Sequence, residues 1–82
     1  MQQLNSKALG YAVGVFTGGL WLIFMAFSLL TGIGETTITT FGLFHPFFSY
    51  SWIGLVIIVV EHLIGGFILG WIFAQLYNKF SK

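Results

Sequence analysis

The chain has no cysteine, one proline, and only 6% charged residues in a length of 82. Without thiols there is no disulfide framework, thiolate zinc site or iron–sulfur cluster. A soluble domain carries about 25% charged residues. Here the charges are Lys7, Glu35, Glu61, Lys79 and Lys82, and a surface this poor in charge would aggregate in water. A formal net charge of +1 offers nucleic acid no basic patch. Disorder needs low hydrophobicity and high net charge, whereas 57% of these residues are hydrophobic. No Ser-His-Asp set, HExxH motif or paired carboxylate is present, so no enzyme is expected.

What is there describes an integral membrane protein. The uncharged run Ala8 to Thr31 reaches roughly 36 Å as a helix, against a hydrocarbon core of about 30 Å. The run Trp52 to Tyr77 reaches roughly 39 Å and holds one acid, Glu61. Neither run alternates with period two, which argues against barrel strands. The first run is longer than a signal-peptide core of about 7–15 residues. Although Ala26-Phe27-Ser28 resembles a cleavage site, an uncleaved span is expected.

The expected fold is therefore all-α: one membrane domain over residues 1–82, built as an antiparallel two-helix transmembrane hairpin. Its spans are 8–31 and 52–77, joined by an outer loop at 32–51. Asn5 or Ser6 can cap the first helix and Ser49 or Ser51 the second, while Gly32 and Gly34 end the first. Tyr50, Trp52 and Tyr77 suit the headgroup level. Lys7, Lys79 and Lys82 flank the termini and the loop has no Lys or Arg, so the positive-inside rule puts both termini in the cytoplasm. The expected location is the cell's inner (cytoplasmic) membrane.

The loop pairs a polar stretch, Glu35 to Thr40, with an apolar one, Phe41 to Phe48. It is expected to lie in the interface plane or to pack on a neighbouring subunit, with a break at His45-Pro46.

The sharpest pattern is a pair of small-residue ladders, Gly10-Gly14-Gly18 and Gly66-Gly70-Ala74. Lipid supplies no hydrophobic drive between helices, so association relies on close backbone approach. A hairpin with short ends sets Gly10 beside Ala74, Gly14 beside Gly70 and Gly18 beside Gly66. Trp21, Phe24 and Phe27 should splay the outer half. Gly19, Gly54 and Gly65 lie off the ladders and can serve contacts between subunits.

Glu61 falls near mid-span, where an ionised carboxylate costs about 2.5–3.5 kcal/mol on insertion scales. Leu22 and Ile23, placed opposite by that register, offer it no hydrogen bond, so its partner is expected from another subunit, a water path or an ion. His62 points about 100° away from Glu61. A mid-membrane histidine can ligate a haem or chlorophyll. His45 belongs to the outer loop, however, so a second ligand at that depth is lacking and a structural histidine is expected. No cofactor and no metal are assigned.

Two stretches carry a family resemblance. Leu4-Asn5-Ser6-Lys7-Ala8-Leu9 opens the first span. Ile64-Gly65-Gly66 precedes Phe73-Ala74-Gln75-Leu76-Tyr77-Asn78 in the second. Together they resemble a family of small two-span membrane proteins of bacteria and archaea, often labelled bacteriophage holin-like. Glu61 resembles that family's acid before the Gly-Gly step, while His45-Pro46 stands where the family has Tyr-Pro. The resemblance implies pore formation by self-association in the bilayer. Ile53-Gly54-Leu55 ahead of Glu61 also resembles rotor-ring subunit c of ATP synthases. This chain departs from that family in its loop, its glycine spacing and its lysine-derived orientation. The loop run Thr36 to Gly42 is too close to the first span to leave room for a potassium-filter pore helix. The expected activity is an oligomeric pore or ion/proton-permeable assembly. The rival class is a non-catalytic accessory or scaffold subunit bound to another membrane protein.

Overall fold

The computed structural model describes residues 3–81. Three helices follow one another: α1 (Ser6–Thr31), α2 (Glu35–Gly42) and α3 (Trp52–Phe80). No strand occurs among the described residues. α1 and α3 pack along each other in opposite directions, and α2 leans on α1. The body is 49 Å long and about 20 Å wide, close to the roughly 40–45 Å of a bilayer with its headgroups. Both long helices are apolar enough to cross a membrane, and less than a third of each apolar segment is buried within the chain. A soluble core helix would hide most of that surface. These helices leave most of theirs uncovered by the chain itself.

The ends of the helices are set by local chemistry. Asn5, in extended backbone, accepts from the Ala8 amide and so caps α1. Gly32, at φ 76°, closes α1 in the left-handed conformation with its amide on the Ser28 carbonyl. Gly34, at φ 80°, then turns the chain directly into α2. Ser51 caps α3 by accepting from Gly54 N. The turn helix α2 interrupts what the sequence reads as an irregular loop, and α3 runs one turn past Tyr77, to Phe80.

The pairing register differs from expectation by one turn. Gly10 meets Gly70 and Gly14 meets Gly66. A methyl group built on Gly66 would stand 2.6 Å from the Cα of Gly14, and one on Gly70 2.9 Å from the Cα of Gly10. Sliding by a turn lays glycine directly on glycine, the closest approach two helices can make. Gly18 consequently faces Val59 and Leu63 rather than Gly66, at a looser 3.4 Å from the Val59 carbonyl oxygen. Ala74 is fully buried beyond the glycine contacts. There the ends are tied by Gln75 Nε2 donating to Ser6 Oγ, and by Asn78, which accepts from Leu4 N at 2.7 Å and donates to Leu4 O at 2.9 Å.

The opposite half holds the core. Met25 and Ile58 are fully buried with Leu55, and Trp21, Ile38 and Phe48 pack around them. The segment after α2 lies back on its own chain rather than only in the interface plane. Gly42 is covered by the Phe48 ring, and Gly54 sits against the Ser49 backbone instead of serving another subunit. Ser28, buried, shares a 2.6 Å hydrogen bond with the Tyr50 hydroxyl. Gly19 and Gly65 face open space.

Candidate functional site: a histidine pair and a mid-helix carboxyl

α3 carries Glu61 and His62 on consecutive positions, so their side chains leave the helix in different directions. The shifted register changes what stands opposite. Gly18, in contact with Val59 and Leu63, is the α1 residue at their level. Leu22 and Ile23 are both exposed and lie further toward the turn. Glycine leaves Glu61 no side-chain partner on α1. Its Oε1 is sealed from the surface and has no hydrogen-bond partner among the described residues.

His62 has different surroundings. Its Nδ1 lies 2.9 Å from the Ile58 carbonyl oxygen, one turn back on α3. A carbonyl only accepts, so this contact engages the Nδ1 proton and leaves Nε2 as the uncommitted ring nitrogen. Trp21 of α1 lies beside it, with ring centroids 5.7 Å apart.

The third member of this group is one the sequence placed elsewhere. His45 follows α2 and belongs to the outer connection, yet its ring centroid is 4.8 Å from that of His62 and 5.3 Å from that of Trp21. The expectation that no second histidine reaches this depth is therefore corrected. His62 is the eleventh residue of α3, roughly 15 Å along the helix from its start, and the returning segment brings His45 down to it. His45 Nδ1 lies 3.0 Å from the Phe41 carbonyl oxygen, so in this ring too Nε2 is the uncommitted nitrogen. Nothing in the local sequence announces the pairing. The signals that bear on it are Gly32 and Gly34, which let the chain double back, and Pro46, which breaks the helix after α2.

The group opens on a groove of about 560 Å³ between α1 and α2, lined by Thr17, Trp21, Phe24, Ile38, Phe41 and His62 among others. Its walls are aromatic and aliphatic. The Thr17 hydroxyl is committed to the Val13 carbonyl at 2.8 Å, which leaves His62 and Thr37 among the polar side chains of the lining. Of the positions picked out in the sequence, His45 and His62 come together, and Gly10, Gly14, Gly66 and Gly70 form the helix contact. Pro46 is exposed, and Gly65 joins neither group. No family model, curated protein or solved structure matches this chain.

Proposed function

We propose that this chain is an integral membrane protein of the inner membrane, with both termini cytoplasmic, that self-associates into a proton- or cation-permeable assembly. The observation that carries the reading is Glu61. A carboxyl group in the middle of an apolar helix, with a buried oxygen that finds no hydrogen-bond partner among the described residues, needs a water path, an ion or a second protein to satisfy it. Two helices in glycine contact leave no conduit between them, so a path must run between copies. Gly19 and Gly65, which meet nothing within the chain, offer close approach to a neighbour. The holin-like resemblance of the chain's ends agrees with such a role.

One observation favours the rival reading of an accessory subunit. The Gly10, Gly14, Gly66 and Gly70 surfaces are consumed inside the chain, so the strongest packing device is not available for self-association. Subunit counting in nanodiscs, with proton and cation flux into liposomes, separates the two. The proposal expects several identical copies, and flux that falls to background in Glu61→Gln. One or two copies and no flux from either protein would overturn it in favour of the accessory role.

A further inference from the structure

We propose that His45 and His62 form a binding site for a divalent transition-metal cation of the zinc–copper–nickel group. Such a site requires no permeation pathway. Each ring spends its Nδ1 proton on a backbone carbonyl of its own segment, Phe41 O for His45 and Ile58 O for His62. Metal-ligating histidines are held in this way: the hydrogen bond fixes the tautomer and orientation and leaves Nε2 to the metal. With each Nδ1 engaged on a carbonyl and the rings 4.8 Å apart, Nε2 is the nitrogen each ring has left for a ligand, and imidazole suits zinc, copper and nickel.

The spacing fits one ion. With metal–nitrogen bonds of about 2.0–2.1 Å and roughly 1.1 Å from Nε2 to the ring centre, two rings at an N–metal–N angle of about 90–110° have centroids roughly 4.5–5.2 Å apart. Two rings on opposite sides of a metal would be separated by roughly 6 Å on the same arithmetic. The observed 4.8 Å belongs to adjacent ligands, and it rules out the two histidines as the axial pair of one tetrapyrrole. No cluster of three or more His, Cys, Asp or Glu occurs among the described residues, so Glu61 does not complete the set. Two protein ligands leave positions for water or an incoming donor, as in sites that keep an open position rather than closed structural ones. The site also ties the returning segment to α3, since one ligand comes from each.

Trp21 makes the site observable, because its ring is within 6 Å of both histidines. The experiment titrates Cu(II) into the full chain in detergent, in a Trp52→Phe/Trp71→Phe background where Trp21 is the only indole. Saturable quenching at one ion per chain is expected, with a copper spectrum showing two nitrogen ligands. Zn(II) should compete. His45→Asn and His62→Asn should each weaken binding by about tenfold or more and leave one nitrogen in the spectrum. His45→Ala, in the connection rather than in a helix, serves if the α3 variant fails to fold. Quenching that does not saturate, or that is unchanged in both His45 variants, would overturn the site.

Discussion

The two halves of the helix pair are held by different means. Toward the termini, glycine lies on glycine, backbone meets backbone, and a methyl group at Gly14 or Gly66 would stand 2.6–2.7 Å from main-chain atoms of the other helix. Toward the turn, Met25, Leu55 and Ile58 form a core, and α2 with the segment after it closes over the side. In the first half main chain lies on main chain, with the Phe67 ring packed over Gly10. The second has room for a third element, and that element brings His45 to His62. Close backbone approach holds the helices together at one end, and at the other a side-chain core lets a third element pack beside them.

Substitution at the glycine contact should break this comparison most strongly. Gly66→Leu pushes a side chain into the Gly14 backbone, which cannot yield, and should cost about 3 kcal/mol in an unfolding titration in mixed micelles. Gly65→Leu, one residue away and facing open space, should change stability by less than about 0.5 kcal/mol. Equal losses in the two variants would mean that the register is not the one described. A smaller effect is expected in the other half. Ile58→Ala opens a cavity at a fully buried position and should cost about 2 kcal/mol, the lower end of the range for buried aliphatics. Because Ile58 supports α2 through the same cluster, the loss should come with faster amide exchange in Thr36–Phe41.

The smallest effects test the ties at the two extremities. Asn78→Ala removes both bonds to Leu4, and Ser28→Ala removes the bond to Tyr50. At about 0.6 kcal/mol per side-chain hydrogen bond, the average in membrane proteins, Asn78→Ala should cost about 1.2 kcal/mol and Ser28→Ala about 0.6 kcal/mol. The consequences should differ in place. Asn78→Ala should raise exchange near residues 4–8 only. Ser28→Ala should loosen the segment around Tyr50 and, through it, the His45–His62 contact, read as a change in Trp21 emission. A change in Trp21 emission from Asn78→Ala would show that the halves are coupled after all.

Phe47 shows how tightly the returning segment is constrained. It sits at φ 62°, a conformation that costs a bulky residue about 1–2 kcal/mol. Its neighbour Phe48 must nevertheless turn inward onto Gly42, and the exposed Phe47 absorbs the strain.

Composition and hydropathy by themselves determined that there are two long apolar helices and where they begin. The caps at Asn5 and Ser51 and the stop at Gly32 act within a few residues of themselves, so they can be read locally. The spacing of Gly10, Gly14, Gly66 and Gly70 likewise determined which faces meet. Tertiary structure alone decided the rest. A ladder with a four-residue repeat is satisfied equally well one turn up or down, so the register waited on how the whole length of both helices packs. That one-turn slide put Gly18, rather than Leu22, at the level of Glu61 and His62. The meeting of His45 with His62 spans residues far apart in the chain. It depends on two left-handed glycines, a short helix and a bend acting together, and no pattern along the sequence encodes such a sum.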